Sequence, residues 1–423
     1  MNNVHMDAFT HRLERRGRVN RRWKAVRGGT LALLGVITGV ALTGCATVEP
    51  LPKANVITIA TQSPLSGVQA ILGEAIKLGA QLAIENLKGP IEAAGFTVNL
   101  VPFDDQARPD VGVANARKIV ANPNILLLIG HLNSGVALPA SELYREVDLA
   151  MISPANTNPL VSDRGYPNVN RVIGRDDVQG TVAADFARND LQAGSAYVIH
   201  DRTRYGQGVA ESFRTRAERL GIRVVGFEGT EETRDFTSII RDIQARNPDV
   251  VYFGGIYDQA GVFFKQARGA GVRGAFLGPD GMDSSDLARI AGQSVVGLHY
   301  TTPVGPPASH PEAKQFIADY KKRFGKHPEP FAAEAYDATV TGLKALEAAI
   351  QQAGGRQPTR QEVSAAIRSV GRIQGLTGPI DFDEKGDRKT ARYFVIQVVS
   401  PNPALWGQNR LVKTIAAPPP LRQ

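Results

Sequence analysis

The feature that most constrains this chain is an alternation, run through twice, of short apolar segments rich in β-branched residues with longer amphipathic ones. From Val56 the apolar runs VITIA (56–60), FTVNLVPF (96–103), ILLLIG (125–130) and LAMIS (149–153) are separated by helical patterns at 70–88, 109–121 and 136–146. After a polar stretch the order returns as AYVIH (196–200), IRVVGF (222–227), DVVYFGG (249–255), AFLG (275–278) and VVGLHY (295–300). Helical patterns at 207–220, 236–246, 258–270 and 283–291 lie between these runs. Strands alternating with helices make a mainly parallel sheet with helices on its faces. Continuous apolar strands, without the every-second-residue alternation of a half-exposed sheet, require burial on both faces. The expectation is an α/β protein of two lobes, each a doubly wound sheet, since the chain is also longer than a single core usually supports.

From about 304 the pattern changes to long helical stretches at 310–324, 330–353 and 359–369, followed by GPIDFDEKGD and a last strand, RYFVIQVV, at 392–399. One strand cannot make a third sheet. The helices are therefore assigned to the first lobe (56–175 plus 304–377) and the strand to the second (176–303 plus 378–400). The chain would cross between lobes near 174–177, 300–304 and 376–381. Residues 401–423 are assigned to a C-terminal tail, of which 407–423, ending in APPPLRQ, is expected to fray.

The first 45 residues have the order of an export signal. Arg12, Arg15, Arg16, Arg18, Arg21, Arg22, Lys24 and Arg27 precede the apolar run TLALLGVITGVAL, and small residues lead into Cys45. That run is well short of the roughly 20 residues that span a bilayer as a helix, so removal is expected rather than a permanent anchor. Cys45 is the only cysteine and cannot form an internal disulfide. The LTGC that contains it resembles the lipobox of bacterial lipoproteins, which implies lipidation of the Cys45 sulfur at a new N-terminus. ATVEPLPKAN (46–55) then reads as a tether, and the protein as periplasmic and membrane-anchored. The leader holds 8 of the 49 Lys and Arg and 2 of the 41 Asp and Glu, so its loss leaves a net charge of only +2. The basic face that nucleic-acid binding needs is then missing.

In open α/β sheets ligands bind beyond the carboxyl ends of the strands, where helix N-termini favour anions. HLNSG follows ILLLIG and offers Ser134; PANTNP follows LAMIS and offers Asn156 and Thr157. Each has a plainer reading as a helix cap or turn residue. In the second unit PDG follows AFLG and puts Asp280 at a strand end, where a carboxylate suits a ligand ammonium group. Pro-Asp-Gly is equally a strong turn sequence. HDRTRYGQG (200–208) offers Tyr205 in the same way. The chain contains none of the common catalytic or phosphate-binding motifs. His131, His200 and His299 lack the pairing of a metal site, and neither a metal nor a cofactor is expected.

GHLNS, MISPANTNP, RGYPNVNR, IHDRTRYGQG, VYFGG, FLGPDG and DFDEKGD occur in the order and spacing of a known family. Over roughly 55–400 the chain resembles the leucine/isoleucine/valine-binding proteins of branched-chain amino acid ABC transporters, which are type I periplasmic binding proteins. The resemblance implies a monomeric two-lobed clamp with three hinge crossovers that closes over an aliphatic amino acid and delivers it to an inner-membrane permease. It implies that Ser134, Thr157 and the Asn156 backbone hold the α-carboxylate and ammonium, that Asp280 pairs with the ammonium from the other lobe, and that Tyr205 lines the cleft. Leu72, Tyr257 and Phe331 would set side-chain specificity. Where some members carry a first-lobe disulfide this chain has Ala107 and Asn133, and Asp280 is shorter than the familiar glutamate. Two other readings stay open. One is a regulatory lipoprotein on the same fold, favoured by Ala46 after the cysteine, which implies outer-membrane sorting. The other is a hydrolase on a doubly wound scaffold.

Overall fold

The computed structural model describes residues 55–306 and 312–417; the leader, Cys45 and most of the tether lie outside them. The first sheet holds β1 (Val56–Ser63), β2 (Thr97–Asp104), β3 (Ile125–Gly130), β4 (Ala150–Ser153) and β5 (Val169–Arg171), all parallel, in the order β2-β1-β3-β4-β5. The chain then enters a second sheet with β6 (Ser195–His200), β7 (Arg223–Gly229), β8 (Val250–Gly254), β9 (Ala275–Gly278) and β10 (His299–Thr302). A small antiparallel pair, β11 (Ile373–Gly375) and β12 (Gly378–Ile380), precedes β13 (Ala391–Gln397) and β14 (Arg410–Ala417). The second sheet runs β14-β13-β10-β9-β8-β6-β7, parallel except for the antiparallel β13 and β14.

Burial follows the apolar runs. Ile57, Ile59, Leu127 and Ile129 are inaccessible and pack with Leu343, Leu346 and Ile350 of helix Ala332–Gln352 and with Val363 and Ile367 of helix Arg360–Ser369. The late helices thus share the core of the first sheet. Gly79 lets helix Ala70–Leu87 lie against the start of Ala332–Gln352, because a Cβ there would sit 2.1 Å from the Ala332 carbonyl oxygen. A capping box between Thr359 and Glu362 starts the last helix.

The second core is aromatic: Phe253, Phe263, Phe264 and Phe276 pack as stacked, tilted and edge-on pairs at ring distances of 4.8–6.1 Å. It continues across to Leu72, Ile76, Ala155 and Phe331 of the first lobe.

Three expectations need correction. VVGLHY is extended only from His299, because Val295 ends a 3-10 turn and Gly297 takes a φ of +88° that breaks the strand. The polar stretch before AYVIH contains helix Asp176–Asn189, whose buried face mixes Ala and Gly with Asp176, Gln179, Val182 and Phe186. Residues 407–423 are not a frayed tail up to Ala417: β14 pairs antiparallel with β13. Most of its side chains are exposed, so main-chain hydrogen bonding forms this edge strand and hydropathy does not reveal it. Trp406, in the turn before β14, is buried, donates from Nε1 to Asp283 Oδ1 at 2.8 Å and stacks on Tyr300.

Candidate functional site

The loop after β4 is held by side chains that face it from below. Ser153 Oγ accepts the Asn156 N–H at 3.0 Å, and Asn156 Nδ2 donates to the His131 carbonyl at 2.6 Å. Arg171, fully buried at the end of β5, donates to the carbonyls of Asn158 (2.9 Å) and Asn156 (3.3 Å). Ser134 Oγ accepts the Asn158 N–H at 3.3 Å. The loop is thereby fixed from both sides before any ligand arrives, with Thr157 at the cleft.

The opposing wall comes from the ends of β6 and β9. Tyr205, near the start of helix Arg204–Arg219, donates from Oη to Asp280 Oδ1 at 2.6 Å and accepts the Gly281 N–H at 2.7 Å. Gly281 must be glycine for this contact: a Cβ would lie 2.3 Å from the Gly255 carbonyl oxygen and 2.9 Å from Tyr205 Oη. Asp280 is 3% exposed, and burial pushes its carboxyl up to about 6, with the Tyr205 and Gln179 side chains pulling the other way.

Between these walls lies a small cavity lined by Leu72, Leu132, Asn133, Ala155, Thr157, Tyr205, Ile256, Asp280, Gly281 and Phe331. Leu72, Thr157, Tyr205, Asp280 and Phe331, each singled out from the sequence, therefore meet here. Phe331 does so from a left-handed backbone (φ +72°), unusual outside glycine, as the cap of helix Ala332–Gln352. Ser134 and Asn156 sit behind the lining and brace the loop. Tyr257 is not at the lining either: it is buried and donates to the Val68 carbonyl at 2.6 Å, tying the second lobe to the loop after β1. Asn158 makes a second tie, from Nδ2 to the Arg204 carbonyl at 2.7 Å. The three strand-end histidines do not converge: His131 lies 3.7 Å from Asp105, His200 accepts the Arg202 N–H, and His299 packs on Phe186.

One residue at the site escaped the sequence reading. Asp176, the first residue of helix Asp176–Asn189, is inaccessible, and neither carboxylate oxygen has a well-aligned hydrogen-bond partner among the described residues. Burial and the charge of Asp280 raise its carboxyl well above the usual range, while the Thr157 hydroxyl and Arg171 draw it back. Its main-chain N–H donates to the Thr157 carbonyl at 2.9 Å. Two carboxyls thus stand together beside a lining that contains no Lys, Arg or His. Burial holds both carboxyls towards the neutral form, and a cationic group placed beside them would favour their ionisation. The signal available in the sequence was the acidic pair Asp176-Asp177 at a helix start, which ordinary helix-dipole chemistry explains equally well.

Below the cleft, where the chain passes between sheets, Asp387 accepts from Arg171 Nε (2.6 Å), an Arg175 terminal nitrogen (2.7 Å) and Ser162 Oγ (2.8 Å). Burial pushes the Asp387 carboxyl up, but the two guanidinium groups outweigh it and hold it below the usual range. Arg171 therefore joins the loop after β4 to Asp387, which also holds Arg175.

Two doubly wound lobes with a cavity between their strand ends define a solute-binding protein. The chain belongs to the periplasmic binding protein family, whose sequence model matches residues 56–402. Members of this family are extracytoplasmic solute-binding proteins, not enzymes, and the fold is the two-lobed type I fold. The chain is 34% identical over 345 residues to Leu/Ile/Val-binding protein homolog 2 of Brucella abortus, covering 81% of this chain and 90% of that one. It is 31% identical over 373 residues to the leucine-, isoleucine-, valine-, threonine- and alanine-binding protein of Pseudomonas aeruginosa, covering 88% and 97%. The crystal structure of a leucine binding protein, LivK, from Thermotoga maritima superposes with a TM-score of 0.76 at 30% identity, covering 85% of this chain and 98% of that one.

Proposed function

We propose that the protein binds a free α-amino acid with a largely aliphatic side chain in the interlobe cavity and delivers it to an inner-membrane ABC permease. The observation that carries this reading is the pair of buried carboxyls, Asp176 and Asp280, beside a lining without a cationic side chain. An ammonium group satisfies them. An uncharged sugar or a simple carboxylic acid has no positive charge with which to draw them into the ionised form. The α-carboxylate would meet Thr157 and the braced loop of Ser134 and Asn156, and the side chain would meet Leu72, Leu132, Ile256 and Phe331. The relatives named for leucine, isoleucine and valine support the same ligand class.

In this reading the lobes are 56–175 with 304–377 and 176–303 with 378–400, and they close about the crossovers near Arg175, Val304 and Ile380. Cys45 carries the lipid that holds the receptor at the membrane, and the receptor works as a monomer. Ala46 favours a second reading, a ligand-sensing lipoprotein of the outer membrane with no transport role. Uptake of labelled ligand by cells lacking the gene separates the two: transport predicts lost uptake, sensing predicts none lost.

The direct test is calorimetric thermal unfolding, after removal of carried-over ligand by unfolding and refolding, in the presence of each amino acid. A ligand at a hundred times its dissociation constant adds about 2.7 kcal/mol of stability. A selective rise with one or a few amino acids supports the reading; no rise with any amino acid overturns it.

A further inference from the structure

We infer that the cavity selects an amino acid whose side chain carries a hydrogen-bond donor, a hydroxyl or an amide, and that Asn133 is the residue that reads it. The inference rests on the amino-acid reading above. Asn133 lines the cavity at the cap of helix Ser134–Arg145. Its Nδ2 donates to Gln69 Oε1 at 2.9 Å, which holds the amide by its nitrogen end. Its Oδ1 is buried and accepts no hydrogen bond among the described residues.

The remaining polar groups of the lining have other work. Tyr205 Oη is committed to Asp280 and Gly281, Asp280 is the cation partner, and Thr157 lies with the loop that faces the α-carboxylate. Asn133 is the polar group left over. Around it the lining is apolar, with Leu72, Leu132, Ile256, Ala155 and Phe331. Such walls accept a short hydrocarbon body, and the Asn133 oxygen requires a donor from it. A purely aliphatic side chain would leave that carbonyl without a partner, whereas a donor would satisfy it, and an unsatisfied buried acceptor is the costly case. Sites built around a hydrogen bond to the ligand reject the analogue that lacks it more strongly than apolar pockets reject a missing methylene.

Isosteric pairs test this directly. Threonine and valine have nearly the same shape, as do asparagine and leucine, and only the first of each pair offers a donor. The stripped full chain, titrated calorimetrically, is expected to bind threonine over valine and asparagine over leucine by about tenfold. Asn133→Leu is expected to remove or invert both preferences while still binding leucine. Valine and leucine binding as well as or better than their partners in the unmodified protein overturns the inference without any variant. Preferences that survive in a folded Asn133→Leu chain overturn it too. Binding without the preference defeats this inference alone, whereas no binding of any of the four defeats the amino-acid reading as well.

Discussion

The Tyr205 hydroxyl stands between Asp280 and the Gly281 N–H, donating to the carboxylate at 2.6 Å and accepting at 2.7 Å. The tyrosine thus fixes the orientation of the Asp280 carboxyl group, which in the proposed role would meet part of the ordering cost of binding in advance.

Removing that hydroxyl with Tyr205→Phe is expected to weaken amino-acid binding by about tenfold, within the range for a hydrogen bond to a charged group. Asp280→Ala is expected to cost more, roughly 2–5 kcal/mol, because it strands the ligand ammonium in the closed cavity. Trp406 offers an optical readout, since its indole is bonded to Asp283, three residues from Asp280. Its emission should shift on ligand addition in the unmodified chain and not in Asp280→Ala. Equal affinities for all three proteins would remove Asp280 from the ammonium site.

Ligand binding should release a proton at mildly acidic pH. Burial raises the Asp280 carboxyl to about 6 in the empty site, and an ammonium group favours its ionised form. Above that pH the carboxylate is ready; below it a proton must leave first. Affinity is expected to fall by up to about tenfold per pH unit as pH drops below 6. Calorimetry at pH 5.5 in two buffers of different ionisation enthalpy would report the released proton, and Asp280→Asn should diminish it.

Stability should fall as pH rises from about 4 towards 8. Glu334 is buried with Oε2 unpartnered among the described residues, and burial raises its carboxyl to about 8; Asp283, also by burial, rises to about 7. The unfolded chain gives up these protons near the ordinary carboxyl range, so between that range and the raised values it binds fewer protons than the native state. Each such group then lowers stability by about 1.4 kcal/mol per pH unit. Glu334→Gln should flatten the decline in denaturant-measured stability between pH 5 and 8, and an unchanged slope would refute the assignment.

Asp387→Ala should be strongly destabilising although Asp387 is not at the cavity lining. It would leave the buried Arg171 and the nearly buried Arg175 without their shared carboxylate, a loss of roughly 3–5 kcal/mol. Asp387→Asn keeps the shape without the charge and should lie between. A thermal midpoint unmoved in both variants would show that the crossovers do not depend on this pair.

What the sequence determined by itself is local. The apolar runs place β1 to β4 and β6 to β9 within a few residues, because burial on both faces of a parallel sheet leaves a signal that needs no distant partner to read. Asp280, Tyr205 and Thr157 were legible for a similar reason: each follows a strand end directly, and in doubly wound sheets such positions face the cleft.

Tertiary structure decided the rest. Asp176 becomes a partner of Asp280 only when a residue 104 positions away is folded against it. Tyr257 reads as a pocket residue until its hydroxyl is found on the Val68 carbonyl, and β14 exists through its pairing with β13 rather than through its own hydropathy. Asn133 enters the sequence reading only as the residue that replaces a cysteine of some family members; its polar character at the site appears when Gln69 takes its nitrogen and leaves its oxygen unpartnered. Apart from the β13–β14 pairing, the deciding interaction joins residues far apart in the chain, and in every case hydrogen-bond geometry and loss of solvent set a role of which local periodicity carries no trace.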